Sequence, residues 1–140
     1  MKQFCLYWLP VILLAVAIFT QSSFATPEMV PRFYLSDKLL HVSVYAILAA
    51  LCYRALRRAS PMKDHSILAL ILMATLMAAF YGASDEWHQS FVSSRTADVF
   101  DFLADVIGSG MGAFVYSRLV GRLNPTQDPH SLIDKFTGIL

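Results

Sequence analysis

The residues of this chain that could do chemistry are concentrated between Tyr81 and Gly112. This stretch holds five of the ten acidic residues, one histidine and one arginine, although it follows a long apolar run. Asp98, Asp101 and Asp105 are spaced at i, i+3 and i+7, so a helix would present all three carboxylates on one face. Carboxylates in an apolar setting can bind a cation or exchange protons, which makes this face the first candidate site.

Two carboxylate–imidazole pairs elsewhere also have helical spacing. Asp37 and His41 are four residues apart, and Asp85 and His88 are three apart. Such a pair can hold a divalent metal ion or pass a proton along. Structural explanations compete with this one. Asp37 suits the first turn of a helix that Ser36 would cap, and a histidine in a membrane is more often an interhelical hydrogen-bond donor than a ligand.

The remaining polar candidates lie near the second pair. Glu86 and Gln89 form another i, i+3 pair, and Arg95 follows in a short polar connection. Arg95 could bridge carboxylates or clamp an anionic group of a ligand, and balancing the surrounding acids is the simpler explanation. Asp98, or Thr96 before it, would cap the next helix, which explains Asp98 by position alone.

The composition indicates that helices in a membrane must position these residues. The chain has 140 residues, of which 56% are hydrophobic and 15% are charged, against about a quarter charged in soluble domains. Residues 3–27 and 66–84 contain no charge, and each run is about as long as a membrane-spanning helix. Residues 35–56 and 98–117 give two further spans if Lys38 and Arg54 extend to the headgroups.

The sequence therefore predicts an all-α membrane protein with four transmembrane helices in residues 1–122 and a cytoplasmic tail in 123–140. Asp105 would lie about 10 Å along the fourth span, where an isolated carboxylate costs several kcal/mol unless it is protonated, paired or facing water. Gly108 and Gly112 continue the same stripe and, with Gly82, are assigned to close helix packing. In the tail, residues 131–140 have the spacing of a short amphipathic helix on the inner leaflet.

Basic residues predict the orientation. Arg54, Arg57, Arg58 and Lys63 lie between the second and third spans, so that loop should be cytoplasmic and both termini inside. The acidic and histidine candidates then lie at or near the outer face. The net charge of +1 and the lack of a large basic cluster give no indication of nucleic-acid binding.

The first span has two interpretations and no assigned chemistry. Lys2, the apolar run and the small residues around Ala25 resemble a signal peptide, whereas the length of the run and Tyr7–Trp8 favour a retained anchor. We expect this span to contribute packing only, and the polar cluster at 20–23 to serve helix capping and interfacial solvation. Cys5 and Cys52 would both face the reducing side, so no disulfide is expected.

These motifs together resemble those of the VanZ-like proteins, a family of small bacterial integral membrane proteins. The matching elements are Ile18-Phe19…Ser22-Ser23, Asp37-Lys38-Leu39-Leu40-His41, Tyr81-Gly82-x-x-Asp85-Glu86-x-His88-Gln89, Phe91 with Arg95, and Asp98-x-x-Asp101-x-x-x-Asp105-x-x-Gly108. Ser93-Ser94 stands where the family often has Pro-Gly. The resemblance implies a multi-pass protein of the bacterial cytoplasmic (inner) membrane. The founding member is associated with resistance to teicoplanin, which makes antibiotic resistance an expected role.

Three functions stay open at this point. The first is a binding module whose outer polar site contacts an envelope lipid, a cation or a glycopeptide-type ligand. This site would be built from the following residues: Asp37, Lys38, His41, Asp85, Glu86, His88, Gln89, Arg95, Asp98, Asp101 and Asp105. The second is a membrane-embedded hydrolase with one divalent metal ion on His41, Asp85, His88, Asp101 and Asp105. The third is a structural or proton-handling protein, for which transport would require an oligomer.

Overall fold

The computed structural model describes residues 2–24, 34–59, 65–93, 95 and 97–123 as an up-and-down arrangement of four α-helices. Helix α1 is Lys2–Ser22, α2 is Tyr34–Ala59, α3 is Ile67–Gln89 and α4 is Val99–Leu123. Each contains an apolar stretch long enough to cross a bilayer, and the described residues form no strand. The predicted all-α membrane architecture is confirmed, and a lipid bilayer is the protein's environment.

Helices α2 and α4 form the centre of the bundle, α3 packs against both, and α1 lies at the side. The core is mostly one face of α2, where Tyr45, Leu48 and Tyr53 are at most 2% exposed. Large apolar side chains such as Leu72 and Phe80 point outward instead, as expected where the solvent is lipid. Apolar periodicity is therefore a weak guide to the helix faces that meet in this protein.

Close contact between α2 and α4 depends on two glycines of α4. A methyl group on Gly108 would lie 2.8 Å from the Cα atom of Val42, and one on Gly112 would overlap the backbone of Ala46. The two backbones touch at these levels, which is the small-residue packing that replaces hydrophobic association between helices in lipid. The contact fixes the register of α2 against α4 just below the acidic stripe.

Helix boundaries agree with the sequence in part. The hydroxyl of Ser66 caps α3 by accepting from the Ala69 N–H at 3.2 Å, and Asp98 Oδ1 accepts from the Phe100 N–H at 2.9 Å. The predicted capping by Asp98 is thus confirmed. The prediction for Ser36 is wrong, because α2 already begins at Tyr34. Helix α3 also continues to Gln89, past the predicted end of the span, because its polar last turn is buried against other helices.

Several predictions concern parts of the chain that lie outside the described residues. The amphipathic helix predicted in the tail is one of them. The orientation of the termini and the fate of the first span stay predictions. Cys5 is exposed, Cys52 is buried, and both are free thiols.

Candidate functional site

Four helix ends bring the polar residues together at one end of the bundle, here called the polar end. Helices α1 and α3 finish there, and α2 and α4 begin there. The described part of the polar end includes buried Ser22, Asp85, Glu86, Gln89, Asp101 and Asp105. The polar side chains at this end form an outer group and an inner group, and two further side chains contact α1.

The outer group consists of Asp37, Lys38, Asp98 and Asp101. The ammonium of Lys38 donates to Asp98 Oδ2 at 2.6 Å and to Oδ1 of Asp101, which ties the first turn of α2 to the start of α4. Lys38 thus pairs with two carboxylates of the same end of the bundle. The hydrogen bond from Lys38 holds the pKa of Asp98 below its usual range. Asp37 is exposed at the rim.

The inner group consists of His41, Glu86 and Asp105, one from each of α2, α3 and α4. His41 Nδ1 lies 2.9 Å from Oδ1 of Asp105, and its Nε2 lies 4.0 Å from Oδ2 of Asp101. Asp105 has no exposed surface. The Tyr45 ring, one turn deeper on α2, lies parallel to that of His41 at 6.4 Å. The histidine thus connects the inner group to the outer one.

Glu86 points into the bundle as part of the inner group and does not pair with Gln89 as the sequence suggested. Its Oε2 atom accepts a hydrogen bond from the backbone N–H of Asp98 at 2.9 Å. Its Oε1 atom is buried and has no hydrogen-bond partner within the described residues, and the same holds for Asp105 Oδ2 and the Tyr45 hydroxyl. Three buried polar atoms on three helices are thus left without a partner in this part of the molecule, where each costs about 1–3 kcal/mol.

Asp85 and His88 face α1 instead. The Ser22 hydroxyl donates to Asp85 Oδ1 at 2.6 Å, and the Gln89 amide donates to Asp85 Oδ2 at 2.9 Å. His88 Nε2 is hydrogen-bonded to the Ser23 hydroxyl at 3.0 Å, and Phe19 stacks on its ring. The expectation that the first span contributes packing alone is wrong, because its last turn supplies partners for two candidate residues.

Arg95 takes a role that the sequence did not suggest. Its guanidinium donates to the backbone carbonyls of Gln21 and Phe24, each at 3.0 Å. These carbonyls belong to the end of α1, where a cation also complements the helix dipole. Arg95 therefore does not contact the nearby acids as interpreted from the sequence. Its guanidinium is hydrogen-bonded to the carbonyls at the end of α1.

Two triplets in the described structure have the proximity needed for a metal ion. They are His41, Glu86 and Asp105, and His41, Asp37 and Asp101, with ligand atoms within 4.8 Å of one another in each. The five residues proposed from the sequence as a metal set do not meet in one place. His41, Asp101 and Asp105 lie together, whereas Asp85 and His88 are hydrogen-bonded to Ser22 and Ser23 at the end of α1.

A groove of about 370 Å³ opens beside Asp85 and His88. Phe19 of α1, Tyr81 and Trp87 of α3, and Phe91 give it an aromatic lining. Its polar wall is already satisfied by the contacts with Ser22, Ser23 and Gln89. None of the three residues of the inner group lines this groove.

The order and spacing of these residues along four membrane helices agree with a known family. A family model described as VanZ/LLP1 matches residues 5–121. The chain belongs to the VanZ-like family. The match includes all four spans and every residue of the outer and inner groups. No curated protein and no solved structure matched the chain significantly.

Sequence reasoning missed two contributions to this VanZ-like site. Ser22 and Ser23 were assigned to interfacial solvation, although adjacent hydroxyls at the end of an otherwise apolar span were a signal for interhelical hydrogen bonds. Tyr45 lies one turn deeper than His41 on α2, and the burial of its hydroxyl follows only from the packing of α3 over α2 at Gly82. In both cases the missing information was the partner helix.

Proposed function

We propose that this VanZ-like protein is a binding protein of the bacterial cytoplasmic membrane that holds a cationic group of an envelope ligand at the outer group. The observation that carries the proposal is the charge imbalance of the polar end. Its described part holds six carboxylates, and its permanent cations are Lys38 and Arg95. Arg95 is engaged with α1, and Lys38 serves two aspartates at once.

Physical chemistry favours a cationic ligand under these conditions. An ionised carboxylate near a membrane interface is destabilising unless a cation or hydrogen-bond donors pair with it. Protonation removes the charge but supplies no hydrogen-bond donor to the other carboxyl oxygen. The exposed Asp37 and the partly exposed Asp98 lie at the rim, where a ligand can reach them from the membrane surface. An ammonium group suits the site chemically, because Asp98 and Asp101 already hold the ammonium of Lys38.

The proposed ligand is an envelope lipid or a glycopeptide-type molecule that carries an amine. Support for this class comes from the predicted orientation, which places the polar end on the outer face, and from the association of the founding VanZ-like protein with teicoplanin resistance. On this proposal, cells that express the protein tolerate more teicoplanin, and the outer group is required for the effect.

The test compares teicoplanin susceptibility in cells that express wild type, Asp101→Asn or Asp134→Asn at matched membrane levels. Asp134 belongs to the C-terminal segment outside the VanZ-like match, so its substitution is the control for loss of a carboxylate. We expect wild type and Asp134→Asn to raise the inhibitory concentration and Asp101→Asn to abolish the increase. Native mass spectrometry from mild detergent should show a bound lipid or glycopeptide mass that Asp101→Asn lacks.

Two results would contradict the proposal. One is full function and an unchanged ligand mass in Asp101→Asn. The other is loss of that variant from the membrane, which would indicate that the ion pairs with Lys38 serve structure alone.

A further inference from the structure

We propose that the inner group, formed by His41, Glu86 and Asp105, is a binding site for one divalent metal ion. It goes beyond the binding of an envelope ligand at the outer group, because it concerns different atoms that lie deeper between α2, α3 and α4. The two sites are neighbours: His41 Nε2 lies 4.0 Å from Asp101 Oδ2, and Oε2 of Glu86 accepts from the backbone N–H of Asp98.

The donor atoms are close to the positions that one ion requires. One atom from each of the three side chains lies within 4.8 Å of the other two. Three evenly spaced atoms on the same ion are at most ~3.6 Å apart when each lies at a typical ligand distance of about 2.1 Å. A contraction of up to about 1.2 Å would therefore bring the three onto one ion, which side-chain rotation can supply.

Unpartnered oxygens point to a ligand independently of this proximity. Glu86 is 8% exposed and Asp105 is 0% exposed, yet Oε1 of Glu86 and Oδ2 of Asp105 have no hydrogen-bond partner among the described residues. A cation satisfies both oxygens at once and offsets the cost of burying them.

Asp85 makes a useful contrast on the same helix. It is buried to a similar degree, at 5% exposed, but both of its oxygens accept hydrogen bonds, from Ser22 and Gln89. It lies next to Glu86 in the chain and faces α1. Burial of a carboxylate is therefore not the feature that marks the inner group. What distinguishes the inner group is that two of its carboxylate oxygens have no hydrogen-bond partner among the described residues and that an imidazole lies nearby.

The donor set indicates the class of metal. One imidazole with two carboxylates and no sulfur suits Zn²⁺ or Mn²⁺, and three protein ligands leave positions for water or a ligand. The neighbouring carboxylate of Asp101 and the parallel ring of Tyr45 could orient His41, as residues next to metal ligands commonly do. The site thus has the composition of an open metal centre within a membrane bundle.

The test uses the full chain without a histidine tag, purified in mild detergent, stripped with a chelator and titrated separately with Zn²⁺ and Mn²⁺ by calorimetry. We expect one equivalent to bind to wild type. Glu86→Gln and Asp105→Asn should each weaken binding by about tenfold or more, since each removes a charged ligand. Asp85→Asn is the matched control and should stay within about twofold of wild type.

A second measurement does not depend on whether the variants fold. X-ray absorption at the metal edge of the loaded wild type should show nitrogen and oxygen neighbours, including one imidazole. Sulfur in the first shell would place the ion at Cys5 or Cys52 and overturn the proposal. Failure of wild type to bind one equivalent of either metal would overturn it too, as would equal weakening by Asp85→Asn and Glu86→Gln.

These results separate the metal site from the proposed envelope ligand. If metal binding is lost on substitution of Glu86 while Asp101→Asn still binds metal but lacks its ligand mass, both proposals hold. If wild type retains an envelope ligand and binds no metal, the inner group fails and the outer group stands.

Discussion

His41 and Asp105 lie 2.9 Å apart across the interface of α2 and α4, although 64 residues separate them in the chain. The contact lies one helical turn from Gly108, where the α4 backbone lies against that of Val42. The pair joins α2 to α4 within a polar cluster, since Glu86 and Asp101 also lie close to His41.

Gly108→Ala should destabilise the bundle by about 1–3 kcal/mol, because the added methyl group overlaps the Val42 backbone, which cannot move away independently. Gly110→Ala is the matched control on the same helix. Its methyl group would lie 4.0 Å from Thr75 Cγ2, so we expect a change within about 0.5 kcal/mol. Unfolding in mixed detergent micelles, followed by circular dichroism, measures both, and equal stabilities would refute the close contact.

Gly82→Ala tests the position of Asp105 more specifically. A methyl group there would come 2.8 Å from Asp105 Oδ2 and 3.1 Å from the Tyr45 ring. We expect the carboxylate to be displaced and metal affinity to fall by about tenfold, as for loss of a neighbour that orients a ligand. Calorimetry measures the affinity, and Gly110→Ala again serves as the control. Wild-type affinity in Gly82→Ala would show that Oδ2 is not a ligand.

Ser22→Ala should destabilise the protein by about 1–3 kcal/mol, because it leaves Oδ1 of buried Asp85 without its donor. Ser43→Ala is the control, since the Ser43 hydroxyl is exposed and donates only to the carbonyl of Leu39 within its own helix. We expect that variant to stay within about 0.5 kcal/mol of wild type. The prediction fails if the two serine variants unfold alike.

Acid should weaken the protein partly through Asp98. The hydrogen bond from Lys38 lowers the pKa of this carboxyl in the folded state from its ordinary value of 3.8. A group with a depressed folded pKa contributes stability above its unfolded pKa and loses it as the pH falls through the folded value. We therefore expect stability to decline below about pH 4 in wild type and to decline less in Asp98→Asn.

Lys38→Met removes the hydrogen-bond donor to Asp98 and keeps the carboxyl itself. We expect this variant, too, to lose less stability in acid than wild type. Unfolding midpoints between pH 6 and the acid limit of the detergent system give the comparison for all three proteins. An acid dependence in Lys38→Met equal to that of wild type would show that Lys38 does not stabilise the ionised form of Asp98.

The sequence was sufficient for the features that depend on one helix at a time. Two charge-free runs and two largely apolar runs of membrane length gave four spans, and the i, i+3, i+7 spacing placed Asp98, Asp101 and Asp105 on one face. Their common face is a property of α4 alone, so no knowledge of the neighbours was needed. Capping by Asp98 is local in the same sense.

Features that depend on helix rotation could not be predicted. Asp85 and Glu86 are adjacent, so they point about 100° apart around α3, and only packing decides which one meets His41. In the structure Glu86 does, because Gly82 lets α3 approach Asp105 and Tyr45 closely. In an apolar span nearly every face is hydrophobic, so the pattern that would show the rotation in a soluble helix is missing.

Residues in connections and at helix ends were misjudged for a related reason. Arg95 has several acids near it in the sequence, but its donors reach the carbonyls at the end of α1. Every residue has a backbone carbonyl, so the sequence does not show which ones accept a hydrogen bond, whereas it shows every carboxylate. An interpretation that considers side chains alone will therefore assign such an arginine to an acid.

The backbone contact at Gly108 and Gly112 has a consequence for selectivity among ions. Since α2 and α4 touch there, main-chain geometry one turn away limits how far apart the side chains of His41 and Asp105 can lie. Replacing a ligand would change which element the proposed centre prefers chemically, but the spacing of the two helices would stay constant. The size of an ion bound there would thus be limited by two glycines that never touch it.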